Sequence, residues 1–371
     1  MAYTTIDDPS AYFQTATYTG NGNATNAITN DGNSNLQPDF VWVKRRESAS
    51  DHVLQDSSRG FSSTTKLSSS STQHENDTDS GGSYGITDPQ WGYVSSASSD
   101  GFNAHVGTGT GDQVNRTSST YVAWQWKAAG GTTTNQTGAN IDSVTQANTT
   151  AGFSIVTYTG NDGVGQSVKH GLGTTPKMIL FKRRDGAADW FVYHSALGNT
   201  KHLHLNKLDA SSTTSDFANY GPDATSFYVN NTALCINNET YVAYCFAEKQ
   251  GYSKFGKYVG NGVSNGTFVY TGFAPAFVML KDTSQATNWE MFDVKRNPFN
   301  VRNLKLGANL SVGDNGSDLG TTSQNNIDIL SNGFKMRTGN TDTNVSGDTY
   351  IYMAFAENPF VTSTGIPTTA R

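Results

Sequence analysis

Near-continuous apolar runs recur three times along the chain, and each is opened by a proline and closed by a lysine. They occupy Pro38–Lys44, Pro176–Lys182 and Pro275–Lys281. An apolar run without polar alternation is typical of a strand buried on both faces, and proline is tolerated at the first position of a strand. We therefore expect a central strand at each run. No window shows a sustained 3.6-residue apolar period, so the pattern predicts an all-β protein.

Other segments repeat in step with these runs and predict three diverged copies of one unit. Each copy opens with a tyrosine strand that runs into a Gly-Asn turn, has a short strand after the central one, and closes with a Tyr-rich apolar strand. The opening segments are Tyr18–Gly22, Tyr158–Asp162 and Tyr258–Gly262; the short strands are Asp51–Arg59, Asp189–Leu197 and Asn288–Arg296; the closing segments are Tyr121–Trp126, Tyr241–Phe246 and Tyr350–Phe355.

Roughly eight short strands in a little over 100 residues, separated by turn signals, indicate a β-sandwich or jelly roll. We expect three tandem sandwiches in a row. The predicted organisation is an N-terminal attachment segment at 1–14, repeat 1 at 15–127 with an insertion at 62–99, a linker at 128–151, repeat 2 at 152–250 and repeat 3 at 251–371.

Composition favours a folded protein with few charged residues over a nucleic-acid-binding protein or a membrane protein. Only 35% of residues are hydrophobic and 15% charged, but 17 Tyr, 19 Phe and 6 Trp are enough to build cores. The net charge is −6 without a Lys/Arg stripe, and the basic trios at 44–46 and 182–184 are interpreted as solvated strand ends. The chain has no 18-residue apolar run and no secretion signal at its start. We expect neither nucleic acid nor membrane as a partner.

The candidate chemistry points away from an enzyme. His194, His202 and His204 lie close in sequence, but no Cys/His/Glu set completes a metal site, so surface histidines are expected. The acidic segment Glu75–Asp79 could supply paired carboxylates, yet its Ser- and Gly-rich surroundings favour a flexible loop. Asp314–Asp318 is interpreted as a turn rather than a calcium loop. We predict no catalytic residues, no metal and no cofactor.

Tryptophans divide into core and surface candidates. Trp42, Trp124 and Trp126 lie in strands that the repeats mark as core, and Trp190 and Trp289 hold equivalent places that favour packing. Trp91 lies in the insertion and has no counterpart in the other copies. It is therefore the one tryptophan predicted to make a surface contact.

Whole phrases of the sequence resemble a family of repeat proteins encoded in tailed phages of marine bacteria and cyanobacteria. They include MAYTTIDDPSAYFQTATYTGNG, LQPDFVWVKRR, HGLGTTPKMILFKRR, YHSALGNTK and YVAYCFAE, spread over nearly the whole chain. The resemblance implies lectin-like sandwiches and a virion structural or tail-fibre-like role, in a particle assembled in the host cytoplasm.

Three functions follow as expectations. The leading one is a tail fibre or tail-associated appendage that attaches to the host surface, with a host glycan as possible ligand. The alternatives are a capsid decoration or head-fibre protein and a polysaccharide depolymerase. Because sheet edges need covering, a homotrimer or another symmetric multimer bound to other virion proteins is expected.

Overall fold

The computed structural model describes residues 2–77, 91–109, 113–314, 316, 319, 326–339 and 342–368. The described part of the chain contains β-strands and a 3-10 turn at Pro9–Ala11, and it contains no α-helix. The prediction of an all-β fold of antiparallel sheets is confirmed.

Unit 1 pairs a four-stranded sheet with a three-stranded one. The larger sheet has the order β1-β7-β3-β4 and the smaller one β2-β6-β5. The strands are β1 (Phe13–Thr19), β2 (Asn26–Thr29), β3 (Phe40–Arg45), β4 (Val53–Asp56), β5 (Tyr93–Ser98), β6 (Gly101–His105) and β7 (Thr120–Trp126).

Unit 2 has an eight-stranded sheet of order β15-β14-β13-β12-β17-β10-β9-β8 and a two-stranded sheet of β11 and β16. The strands are β8 (Thr134–Gln136), β9 (Ser143–Asn148), β10 (Phe153–Thr159), β11 (Gln166–Lys169), β12 (Met178–Arg183), β13 (Phe191–His194), β14 (Lys201–His204), β15 (Ser212–Thr213), β16 (Ser226–Val229) and β17 (Thr240–Phe246).

Unit 3 pairs a five-stranded sheet of order β18-β25-β20-β21-β22 with a three-stranded sheet of order β19-β24-β23. The strands are β18 (Ser253–Val259), β19 (Phe268–Tyr270), β20 (Phe273–Asp282), β21 (Glu290–Asp293), β22 (Leu306–Gly307), β23 (Ile327–Leu330), β24 (Gly333–Met336) and β25 (Thr349–Pro359).

The larger sheets share one connectivity, in which the opening strand pairs with the closing strand and the closing strand with the central one. A tyrosine pair closes each unit in the same way. The rings of Tyr18 and Tyr121 stack at 5.0 Å, and the Tyr121 hydroxyl accepts the backbone N–H of Arg116 at 2.9 Å. Tyr158 with Tyr241 and Tyr258 with Tyr350 repeat this stack and this bond in the other units.

The three units do not stand in a row, because the inner faces of their larger sheets pack into one shared core. This cluster combines side chains of all three units, including Phe13, Trp124 and Trp126 of unit 1, Phe153, Trp190 and Tyr244 of unit 2, and Phe277, Trp289 and Phe355 of unit 3. Each unit keeps a separate core between its own two sheets. The central strands are therefore buried on both faces, as their apolar runs indicate, but the second face meets the other units.

The predicted linker and the N-terminal segment both pack against the sandwiches, and attachment through the N-terminal segment stays a prediction. The stretch interpreted as a linker, 128–151, contains β8 and β9, and β9 extends the larger sheet of unit 2 by pairing with β10. The N-terminal segment packs on unit 3: the Tyr3 hydroxyl donates to Gly272 O at 2.6 Å, and Ile6 lies in the shared core. Polar Thr- and Asn-rich composition does not distinguish an edge strand from a linker, so β8 and β9 could not be predicted.

Candidate functional site

The residue just before β4, β13 or β21 links its unit to the next one around a ring. These residues are His52, Trp190 and Trp289, and all three are buried. His52 Nε2 lies 2.9 Å from Gly307 O, Trp190 Nε1 donates to Ser68 O at 2.7 Å, and Trp289 Nε1 donates to His204 O at 2.9 Å. Unit 1 therefore contacts unit 3, unit 2 contacts unit 1, and unit 3 contacts unit 2. The packing roles predicted for Trp190 and Trp289 are confirmed.

Glu75 is part of an ion-pair network between units 1 and 2 and does not lie in a flexible acidic loop. Its carboxylate accepts Arg59 Nη1 at 2.7 Å and Arg184 Nε at 2.8 Å, and its side chain is only 10% exposed. The Arg59 side chain is fully buried and also binds Asp56 and the Tyr244 hydroxyl. The prediction of a flexible loop at Glu75 is wrong, because the arginines that bind its carboxylate are distant in sequence and no local pattern reveals them. Asp77 is buried near His74, and Asp79 lies outside the described residues.

A second network of the same form joins units 3 and 1. Asp314 accepts Arg46 Nε at 2.9 Å and Arg296 Nη1 at 2.8 Å, and Arg296 pairs with Asp293 as Arg59 pairs with Asp56. Asp314 therefore serves an interface, and only part of the segment predicted as a turn is described. Neither network leaves a carboxylate pair free in a cleft for hydrolysis.

The basic trios are not solvated strand ends, because their first residues, Lys44 and Lys182, are completely buried, as is Lys281 at the equivalent position of unit 3. Lys44 Nζ donates to Arg45 O at 2.7 Å, Lys182 Nζ to Arg183 O at 3.0 Å and Lys281 Nζ to Asp282 O at 2.7 Å. Each ammonium thus turns back to the carbonyl of the following residue. Burial lowers the pKa of Lys44 and of Lys182 to about 7 and that of Lys281 to about 8.

We expect these lysines to make the protein more stable at alkaline pH. Since their folded pKa values lie below the unfolded ones, the unfolded chain binds more protons between about pH 7 and about pH 10, and the free energy of unfolding rises with pH in that window. Urea unfolding at intervals from pH 7 to pH 9.5 measures the slope. K182M should lower the slope, because it removes one of these three buried lysines, whereas K201M, on the exposed position of β14, should leave it unchanged. An unchanged slope in K182M would contradict the lowered pKa of the buried Lys182 side chain.

The histidines expected at the surface are buried or half-buried. His194 is fully buried with Nε2 3.2 Å from Tyr352 O of unit 3, and burial lowers its pKa to about 4. His202 lies 3.6 Å from Asp216 and 3.0 Å from the Ser212 hydroxyl, while His204 is half-buried. The prediction of surface histidines is wrong, because the spacing of the histidines in the sequence does not reveal that another unit covers β13. In the described part of the chain, no group of three His, Cys, Asp or Glu residues is placed to hold a metal ion.

Trp91, the predicted surface contact, is half-buried, and its carbonyl accepts Gln113 N at 2.8 Å. The insertion around it is described only up to residue 77 and again from residue 91. A contact of Trp91 with a partner stays a prediction.

An open polar cleft lies on unit 2 beside β8, β9 and β10, and no sequence pattern predicts it. Its volume is about 610 Å³, and its lining is dominated by amides and hydroxyls: Asn135, Gln136, Thr137, Asn140, Ser143, Thr157, Thr159, Asn161 and Thr240, with Asp142 and Arg184 as the charged members. Asn135, Thr137 and Asp142 are exposed. The segment predicted to be a linker, 128–151, builds one wall of the cleft.

The cleft wall is held in place by hydrogen bonds to the smaller sheet. The Asn140 side chain accepts Ser167 N at 3.1 Å and Ser167 Oγ at 2.7 Å, and Ile141 N donates to Ser167 O at 3.1 Å. Ile141 forms a parallel bridge with Val168 and is buried in the unit 2 core. A preformed wall of polar side chains can bind a hydroxyl-rich ligand without first ordering a loop.

These features define an all-β protein with a polar cleft and interlocked units. The chain belongs to the family described as "Domain of unknown function (DUF7483)", whose model matches residues 8–359. Comparison with curated proteins and with solved structures found no match. Among the residues that the structure describes, no helix is long and apolar enough to cross a membrane.

Proposed function

We propose that this protein is an attachment component of a tailed-phage virion that binds a carbohydrate through the polar cleft of unit 2. The sequence resemblance supports the virion setting. The observation that supports the ligand class is the cleft lining, in which planar amides and hydroxyls can donate to and accept from the hydroxyls of a sugar. A volume of about 610 Å³ lies within the range usual for small-ligand sites.

The cleft favours a neutral or weakly charged glycan. Asp142 and Arg184 are its two charged members, and the Arg184 guanidinium is already engaged by Glu75 through Nε and Nη2. Selectivity would then come from hydrogen bonds to side-chain amides rather than from ion pairs, since a site built to bond hydroxyls disfavours ligands that lack them.

A glycan array probed with the full chain, followed by titration of the best ligand, tests the proposal. We expect T137A/D142N to lower the affinity at least tenfold, because both side chains are exposed in the cleft. T149A is the matched control, since Thr149 is an exposed threonine beyond the far end of β9 and outside the cleft lining. Absence of glycan binding, or equal affinity of T137A/D142N and T149A, would contradict the proposal.

A further inference from the structure

Three side chains at the edge of unit 2 have the arrangement of a serine nucleophile, its base and an acid that orients the base. Ser212 Oγ lies 3.0 Å from His202 Nε2, and His202 Nδ1 lies 3.6 Å from Asp216 Oδ2. Ser212 is exposed on β15, whereas the His202 and Asp216 side chains are only 11% and 8% exposed. A hydroxyl that solvent reaches therefore contacts a buried imidazole, with a buried carboxylate on the far side of the ring.

The carboxylate of Asp216 is held in one orientation. Its two oxygens accept the hydroxyls of Thr214 and Thr232, and its backbone N–H donates to Thr214 Oγ1 at 3.0 Å. Among the described residues, no hydrogen-bond partner reaches the buried Nδ1 of His202. A shift of about 0.5 Å brings this atom within hydrogen-bond distance of Asp216. Such bonds in catalytic sites are often long until substrate binds.

The other units have a lysine at the position of His202. The side chains of Asn206 and Asn309 each accept the N–H of the tryptophan before β13 or β21, which aligns β14 with β22 and places Lys305 at this position. Unit 1 has Lys66 there, one residue before the bridge to β4. Both lysines are buried. Histidine at this place is particular to unit 2 and supplies a ring nitrogen that accepts a proton near neutral pH.

From these contacts we propose that Ser212, His202 and Asp216 form a hydrolytic site for short-chain carboxylic esters. Ser212 is the nucleophile, His202 the general base and Asp216 the positioning residue, since such triads are defined by geometry rather than by order along the chain. The surface position of the serine suits a small acyl group on a large alcohol, because the alcohol stays outside the fold. The proposal adds an activity to attachment, does not rest on sugar binding, and departs from the sequence-based expectation of no catalytic residues.

The reaction proceeds in two steps through an acyl-serine. Ser212 Oγ attacks the carbonyl carbon and passes its proton to His202 Nε2; the bond to the alcohol oxygen breaks, and the alcohol leaves with that proton. Water then attacks the acyl carbon and gives a proton to His202, which returns it to Ser212 Oγ as the carboxylic acid leaves. Ester and water thus become acid and alcohol, with no change of oxidation state.

The residue after the nucleophile provides a backbone donor for the oxyanion. β15 is the edge strand of its sheet, and Thr214 N donates to Thr200 O at 2.8 Å. Because pairing alternates along an antiparallel ladder, Thr213 directs its N–H away from β14. Backbone N–H groups beside the nucleophile are common stabilisers of the negative oxygen in acyl transfer.

The protonation state of His202 fits the role of a base. Burial and the neighbouring His204 lower its pKa, and the nearby carboxylates of Asp216, Asp189 and Asp209 raise the pKa by less. The imidazole is therefore neutral at pH 7 and can accept the serine proton.

Labelling of the full chain with a fluorophosphonate, located by peptide mass spectrometry, tests the proposal. We expect an adduct at Ser212, formed as its oxygen displaces fluoride and His202 takes the proton. H202Q should slow labelling about 100-fold, within the usual contribution of a general base. S215A changes another exposed serine of the same segment and should label at the unmodified rate. S212A should also abolish the hydrolysis of p-nitrophenyl acetate that exceeds the rate in buffer.

The pH profile of labelling tests the positioning role of Asp216. The rate should rise with pH through the pKa of His202. D216N should move the midpoint to lower pH, because it removes a negative charge that raises this pKa. A substitution that only loosened the fold would lower the rate without moving the midpoint.

A cysteine variant covers the case in which H202Q loses its fold. At pH 7, S212C should react with iodoacetamide about tenfold faster than S215C, because the neighbouring imidazole takes the thiol proton. Equal reactivity of these two thiols, no adduct at Ser212 in the folded chain, or labelling of folded H202Q at the unmodified rate would overturn the proposal.

Discussion

Replacement of Arg59 by leucine is expected to destabilise the whole protein by about 3–5 kcal/mol, because it leaves the carboxylate of Asp56 buried without its partner. The side chains of Arg59 and Asp56 are both fully buried, and Arg59 Nε lies 2.5 Å from Asp56 Oδ2. The same guanidinium donates to Glu75 and to the Tyr244 hydroxyl of unit 2. Its loss therefore disturbs two units at once.

Urea unfolding of three variants separates the buried charge from the lost packing. D56N/R59L should be more stable than R59L, since the amide removes the unpaired charge. K254A is the control, because Lys254 forms a partly exposed pair with Glu248 and such pairs contribute about 1 kcal/mol or less. Stability of R59L within 1 kcal/mol of the unmodified protein would contradict the network.

Unit 2 has no ion pair at the positions that correspond to Asp56 and Arg59 of unit 1. Its counterparts of Asp56 and Arg59 are His194 and Leu197, and His194 contacts the Tyr352 carbonyl of unit 3. The interface between units 2 and 3 thus uses a neutral imidazole where the other two use Arg-acid networks. Equivalent positions in the ring can therefore differ in chemistry while the backbone arrangement is kept.

The central strands could be predicted from sequence because they depend on local chemistry. The apolar runs at Pro38–Lys44, Pro176–Lys182 and Pro275–Lys281 lie in or overlap β3, β12 and β20. Burial of the tryptophans in and beside these strands follows from the same pattern. The descent of all three units from one ancestral unit stays a prediction, which their common strand order supports.

The arrangement of the units could not be predicted, because it depends on contacts between residues far apart in sequence. An apolar run indicates that both faces of β3 are buried but does not say what covers the second face. Buried cations are unexpected for the same reason: Lys44 and Arg59 look like surface residues until carbonyls and acids from other segments surround them. The unit 2 cleft could not be predicted because its wall, 134–148, has the composition of a linker.

The shared core predicts that the three units unfold together, and this is the central structural claim. At about 0.7 kcal/mol per residue near 60 °C, a chain of 371 residues has an unfolding enthalpy of about 260 kcal/mol, whereas one isolated unit of roughly 120 residues has about 80 kcal/mol. Because unit 2 contributes Trp190 to the core and a hydrogen bond to unit 1, its loss exposes apolar surface on both neighbours.

Differential scanning calorimetry of the full chain tests this claim most directly. One transition, with a van't Hoff enthalpy close to the calorimetric enthalpy of the whole chain, is the expected result. Separate transitions, or a van't Hoff enthalpy near one third of the calorimetric value, would contradict it and would mean that the units unfold as three independent sandwiches.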